Sequence, residues 1–597
     1  MSRRVWPCAA ALLVLVAGCT RASSSAPGRL VAKPPPVLTA FDSCTQLLRE
    51  FRAAAAQNGD AGAVRMAPMA KAADPVAPAF SGTNVQEQGV DEPDTVKTDG
   101  RRIVTLTAGV LHVIDPATSR VTGRLDLRLA GPAQLLLAGD HALVLGPAVL
   151  GPTPLVLGGP AVRSPLPRPF GGRTELVLVD LAGPPRVISR YLGDGQLVDA
   201  RQTGSVARIV LTSTPQINFP LRATTPDGLA RENKAAIDAA PISAWLPGWQ
   251  ITTGATTTRG RLGCGSVVHP ATFSGTGLLT VLSLDLSAPA LGAGDPIGIV
   301  AAGDAVYATP TSLYVADDQA GGPTKRGPLA LRTAIYRFAI PAGPGQPTYA
   351  ASGAVPGTLL NSYAMSEWDG YLRVATTSGD VSAVRVLRAA NGRFTQVGAV
   401  SGLGAGEQIY AVRFVGPRGY VVTFRQTDPL YSLDLTDPAH PRATGSLKIT
   451  GYSAYLQPVD DDRLLGVGQE ATAQGRALGT QISLFDVSDP AAPRRLAQVH
   501  VAGGSSQAEF DPHAVLWWPA THLLVVPIST LSGEAALAAR VTGDGLSTAA
   551  RIAVPSGTVT RQLVVGDTLW IMTDSGMLAT PLAALSTSGG RAWLPLR

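Results

Sequence analysis

Asp91, Glu92 and Asp94, with Asn84 close by, form the densest polar group in the stretch SGTNVQEQGVDEPDTVKTDG at 81–100. Several oxygen ligands converging on one point would suit a divalent cation. The acids lack the ligand spacing of an EF-hand loop, so the preferred reading is a set of turn caps that closes the structure before its first repeat. His513 lies in FDPHAVLWW, two residues after Asp511, between a proline turn and a strand. An imidazole placed there would line a channel, contact a loop, or serve as a buried hydrogen-bonding group. Trp245 and Trp249, in PISAWLPGWQ, offer rings to a partner. Arg373, Arg413, Arg425 and Glu367 would either gather on one rim, as a hydrolase or lyase needs, or act as ion-paired supports. The second reading is preferred, because half-buried charges need partners whatever their function. The sequence holds no HExxH, paired CxxC, GxSxG elbow or P-loop. No cofactor is expected, apart from the possible divalent cation at the acidic group.

The elements that must position these residues are repeats. YSLDLTDPAHPRATGSL, from Tyr431, and ISLFDVSDPAAPRRLAQV, from Ile482, share one pattern, with Asp434 and Asp486 52 residues apart. Equivalent aspartates recur at Asp115, Asp180 and Asp285, with degenerate positions near Phe338 and Val386. A period of this length, built from short strands and Pro-bearing turns, predicts an all-β fold of the β-propeller type. About nine strand sets can be counted. Eight blades are expected, within a range of seven to nine, because a terminal set is shared when some rings close. The repeated aspartates should accept backbone N–H groups of the turns that follow them.

Composition agrees with this. The chain has 65 Gly, 48 Pro, 15 % charged and 45 % hydrophobic residues, which suits buried strands and tight turns rather than disorder. A net charge of +6 spread over 597 residues, with no Lys/Arg run longer than two, argues against nucleic-acid binding. Two stretches break the period: a Gly/Pro-rich loop at 147–173, and a partly helical insertion at 214–261 containing GLARENKAAIDAA. Long loops inside a compact domain are usually functional.

Residues 1–18 read as a leader, with Arg3 and Arg4 before an apolar run too short to span a bilayer. Val16-Ala17-Gly18-Cys19 resembles the bacterial lipobox, which implies lipidation of Cys19 and an extracytoplasmic protein anchored to the cell membrane. Residues 19–80 read as a tether with a short helix over Ser43–Gln57, and 81–597 as the propeller. Cys44 and Cys264 are then the unmodified cysteines of the mature chain, and an oxidising compartment favours a disulfide between them.

The motifs at 81–100, LLNSYAMSEWDGYLRVATT at 359–377, IYAVRFVGPRGYVVTFRQTDPLYSLDLTDP at 409–438, GYSAYLQPVDDDRLLGVG at 451–468 and FDPHAVLWW at 510–518 carry a family resemblance. The chain is similar to bacterial secreted proteins with a C-terminal β-propeller domain distantly related to WD40 repeats. It departs from them at Gln457, where the family has His, and at Pro93, where it tends to have Ala. The resemblance implies a propeller outside the cytoplasm and brings no established activity. The expected function is a lipid-anchored binding or scaffolding module for a protein or an envelope polymer. The rival is a metal-assisted hydrolase or lyase acting on an envelope substrate. The loops at 147–173 and 214–261 are the surface expected to meet a partner.

Overall fold

Runs such as IVTLT (Ile103–Thr107) and LLTVLSLD (Leu278–Asp285) pair β-branched and aliphatic residues and end at turn formers; they become strands buried on both faces. The computed structural model describes residues 38–57, 79–148, 172–219, 225–270, 275–320, 331–424, 427–472, 474–587 and 589–596. The leader, Cys19, Arg425 and nearly all of the 147–173 loop lie outside the described residues.

Among the described residues, the strands form nine successive four-stranded units, at 96–126, 134–194, 196–299, 305–356, 365–403, 408–450, 452–502, 516–553 and 559–595. The sheets of blades four and five are linked by one parallel bridge, Ser352 with Arg393. The fold is the expected propeller, and the count falls at nine, the upper end of the expected range. No terminal set is shared: residues 559–595 supply all four strands of the last sheet, and 96–126 all four of the first.

Each pair of neighbouring blades buries one apolar cluster between them. The cluster that closes the ring sets Leu563, Trp570 and Met572 of blade nine against Val96, Ile103 and Ile114 of blade one. A four-stranded sheet cannot cover both of its faces alone, so stacking around an axis is what buries them.

Within a blade the first strand is innermost. The connections from first to second and third to fourth strands emerge on one side of the disc, here the crest face. Those from second to third strands, and from blade to blade, emerge on the opposite side, the loop face.

The repeated aspartates sit on the crest face, each at the end of a third strand. Asp115, Asp180, Asp285, Asp434 and Asp486 all accept a backbone N–H from two residues ahead, at 2.8–3.0 Å. The turn beyond the aspartate packs on the preceding blade at a glycine. A Cβ on Gly445 would lie 2.5 Å from the Pro490 carbonyl oxygen and 2.6 Å from that of Ala491. Gly445→Ala should therefore lower stability by about 1–3 kcal/mol. Gly183→Ala, in open space, should change it by less than about 0.5 kcal/mol. Thermal midpoints of the two variants check this.

The 214–277 insertion is ordered over its described residues and builds outward from blades two and three. Its hairpin, Gly248–Thr253 with Thr256–Arg261, pairs with the outermost strand of blade two, Arg186–Asp194. Its return strand, Val267–His269, adds to the edge of blade three and carries Thr39–Ala40 in turn. Helix α1 (Cys44–Gln57) and helix α2 (Pro226–Ala239) share a separate core of Phe41, Leu47, Phe51, Ile237, Trp245 and Leu246. Thr225 caps α2 by accepting the Gly228 N–H. The expected Cys44–Cys264 disulfide joins α1 to the insertion, with Cα atoms 5.3 Å apart. No helix among the described residues is long and apolar enough to cross a membrane.

Candidate functional site

The acidic stretch at 81–95 runs along the propeller axis, where innermost strands face one another. It touches nearly every blade. Ser81 and Val564 of blade nine exchange hydrogen bonds at 2.8 Å. The Asn84 amide donates to the Tyr455 hydroxyl of blade seven and to the Pro512 carbonyl ahead of blade eight. The Gln86 amide donates to Ser362 and Met365 carbonyls at blade five, and the Tyr307 hydroxyl of blade four donates to Glu87. Asp91 pairs through its backbone with Gln202 of blade three, and Asp94 with Leu135 of blade two. Lys97, the second residue of blade one, donates to Thr83 and to Asp91, at 2.6 and 2.7 Å.

The inner strands are shaped to meet this segment. Bulges interrupt pairing at Leu197/Asp199, Ser453/Tyr455 and Val559/Arg561. A bulge re-aims the side chain beyond it. Asp199, Tyr455 and Arg561 all reach the axial network as a result.

Five of the residues singled out in the sequence, Asp91, Glu92, Asp94, Asp511 and His513, come together here. Glu92, 1 % exposed, takes the His513 Nε2–H at 3.0 Å and the Gln86 backbone N–H, with Arg201 Nε at 3.6 Å. A carboxylate can only accept, so Nε2 carries the proton. Arg201 is fixed in turn by Asp199 at 2.5 Å and by the Val306 carbonyl. Arg561 bridges Asp94 at 2.6 Å and Asp511 at 2.7 Å. Lys97, Arg201, Asp199 and Arg561 were not singled out in the sequence. The signal available was charge inside an inner strand, as in QLVDARQT and VTRQLVV.

The electrostatics follow from dense charge in a dry place. Burial alone would lower the His513 pKa, but the Glu92 hydrogen bond and the Asp94 and Asp511 charges outweigh it and raise it above 6.5. Burial would raise Glu92 and Asp94, yet Arg201 with His513, and Arg561 with His513, hold both below their ordinary values. Asp199 is pushed up to about 6 by burial, with Glu92 adding to it and Arg201 opposing.

The signs then separate by pH. Glu92 and Asp94 stabilise the fold above about pH 4 and lose that contribution as pH falls through their lowered pKa values. Asp199 stabilises the fold below its ordinary 3.8 and loses this as pH rises toward 6. His513 contributes fully below 6.5, and its share vanishes as pH rises through its raised folded pKa. His513→Gln keeps a donor toward Glu92 and should flatten the loss of stability above pH 6.5. Melting temperatures of both proteins across pH 5–9 check this.

The chemistry of this arrangement is that of a support. Lys97, Arg201, Arg561 and His513 already supply the positive charge that a cation would bring. Among the described residues, no group of three or more His, Cys, Asp or Glu side chains is arranged to hold a metal ion.

The other candidates lie elsewhere. Trp245 is 2 % exposed and stacks on Phe51 at 5.7 Å inside the insertion core, so it has no free ring face. Trp249 is half-buried against Tyr191 and lies over Gly260. Glu367 pairs with Arg337 and the Tyr314 hydroxyl, while Arg373 holds the Gly416 carbonyl and Ser366, so Glu367 and Arg373 are each engaged as structural supports with separate partners. A cleft of about 490 Å³ on the crest face is lined by Arg463, Thr521, His522 and Arg540, but Arg463 is already held by Asp460 and the Gly543 carbonyl.

An uncharacterized protein of Methanocaldococcus jannaschii is 41 % identical over 173 residues, covering 28 % of this chain and 26 % of the relative. One of Archaeoglobus fulgidus is 43 % identical over 164 residues, covering 27 % and 25 %. The chain thus spans about a quarter of the length of these curated relatives. Among solved structures, a protein from Lactobacillus plantarum aligns with a TM-score of 0.32 and 16 % identity, covering 54 % of this chain and 92 % of that one. Sqt1 of Chaetomium thermophilum aligns with a TM-score of 0.35 and 12 % identity, covering 59 % and 82 %. The family described as Beta propeller domain matches residues 80–585, from the first axial residue into the ninth blade, and the chain belongs to that family.

Proposed function

We propose that the protein is a lipid-anchored, extracytoplasmic binding or scaffolding module, and that it meets a protein or an envelope polymer with the loop face of blades five to eight. The observation that carries this is where large apolar side chains remain exposed. Leu360, Val381, Tyr410, Leu478, Phe510 and Leu531 all lie at loop-face ends of that arc, and Leu331 lies on the same face of blade four. Among the described residues, only Trp368 is comparably exposed on the crest face. Tyr410, Phe424 and Tyr452 form a contiguous aromatic cluster, with ring centroids 4.9–5.3 Å apart, and Phe510 is 67 % exposed. Rimmed apolar surface of this kind marks interaction sites. Its spread along an arc suits an extended partner better than a small molecule.

The insertion at 214–261 is a weaker surface on this reading, because Trp245 and Trp249 are used in its own core and on blade two, and among its described residues only Phe219 is a comparably exposed large apolar side chain. The disulfide supports an oxidising compartment, and the lipobox at Cys19 supports the anchor. In vivo cross-linking followed by mass spectrometry tests the proposal. Partner cross-links should fall on the loop face between 357 and 531, and Cys19→Ser should release the protein from the membrane fraction. Cross-links confined to the crest face would contradict the assignment.

A further inference from the structure

Beside the axial segment, the side facing blades five to seven is short of negative charge. Arg413, on the innermost strand of blade six, is 4 % exposed, yet among the described residues it makes no ion pair and its Nε has no hydrogen-bond partner. Its guanidinium lies over the Tyr363 ring, 5.3 Å from the centroid. Arg373, also buried, spends two nitrogens on Gly416 and Ser366 and leaves its Nε unpartnered. On the segment, Glu87 binds the Tyr307 hydroxyl at 2.7 Å and makes no ion pair with either arginine. Burial pushes the Glu87 carboxyl upward, toward its neutral form, while Arg413 and Arg373 oppose this. The Ser362 hydroxyl, one residue from Tyr363, is buried without a partner, as is Gln86 Oε1. The remaining groups are therefore mostly donors around two fixed positive charges. A cation over a ring face is a weak substitute for a counter-ion, and a buried charge without one is strongly disfavoured.

We propose that Arg413, beside the Tyr363 ring, binds a small monovalent anion of the chloride class, with the unpartnered Ser362 hydroxyl as a second donor. The site is independent of the loop face and goes beyond the proposed function. It would give the segment the negative charge that Glu87 supplies only in part, on the side opposite the Asp94–Arg561 pair. The anion is taken up without any covalent step.

Bromide is the probe. In crystals soaked in sodium bromide, an anomalous difference peak should stand within about 3.5 Å of the Arg413 guanidinium. In solution, replacing sodium gluconate by sodium bromide at matched ionic strength should raise the melting temperature by about 1–2 °C. That rise should disappear in Arg413→Gln. The soak needs only the wild-type protein, so the proposal stays testable if the variant fails to fold. A water-sized peak with no anomalous signal would overturn it, as would equal melting in both salts.

Discussion

Arg561→Met is expected to cost about 3–5 kcal/mol of stability. The reasoning is one of stranded charge. Arg561 is the cation shared by Asp94 and Asp511, at 2.6 and 2.7 Å, and Asp94 is 4 % exposed. Methionine fills much of the same volume, so the loss reports the unpaired carboxylates rather than a cavity. Asp94 also pairs with Leu135 through its backbone, so the damage reaches the contact between the axial segment and blade two. Denaturant unfolding of both proteins measures it. Arg561→Met with Asp94→Asn should recover part of the loss, because the amide removes the buried negative charge. A single variant as stable as the wild type would show that the axis is wet enough to screen these charges.

The second large effect is expected from replacing Cys44 and Cys264 by serine. The bond spans 220 residues, and the chain-entropy estimate for so long a loop is on the order of 5 kcal/mol. The ring closes through the cluster between blades nine and one, which does not include the bond. The loss should therefore fall on the docking of α1 to the insertion, where Phe51 meets Trp245. Hydrogen exchange should speed up over 44–57 and remain slow over 516–553. Equal acceleration in both regions would mean that the insertion and the ring unfold as one unit.

Much of this architecture is legible in the sequence, for physical reasons that differ by element. The crest aspartates repeat because each must accept a turn N–H at the same place in its blade, so the period is visible without coordinates. The blade count was less legible. Blades four, five, eight and nine lack the aspartate and end their third strands at Ala339, Ala390, Thr542 and Pro581, and whether a ring shares its last sheet depends on contacts between the chain ends. The acidic group at 91–94 is conspicuous in sequence, but its role is set by Arg201, Asp511, His513 and Arg561, which lie more than 100 residues away in the chain. Local spacing carries no record of such partners. Trp245 and Trp249 look like partner contacts in sequence because both lie in the long insertion at 214–261 that breaks the repeat. Packing of α1 against the insertion turns Trp245 inward, and that depends on a disulfide 220 residues in span.

On the proposed reading the axial segment serves cohesion and the loop face serves contact. Substituting Tyr410, Phe510 and Leu531 together by serine tests this most directly, with Trp368→Ser on the crest face as the matched control. All four side chains are exposed, so the melting temperatures should stay close to that of the wild type. The quantity to measure is the yield of each cross-linked partner from intact cells expressing each variant. A fall of about tenfold or more for the triple variant, with Trp368→Ser unchanged, is the predicted result. Full partner yield from a folded triple variant would contradict the assignment of the loop face.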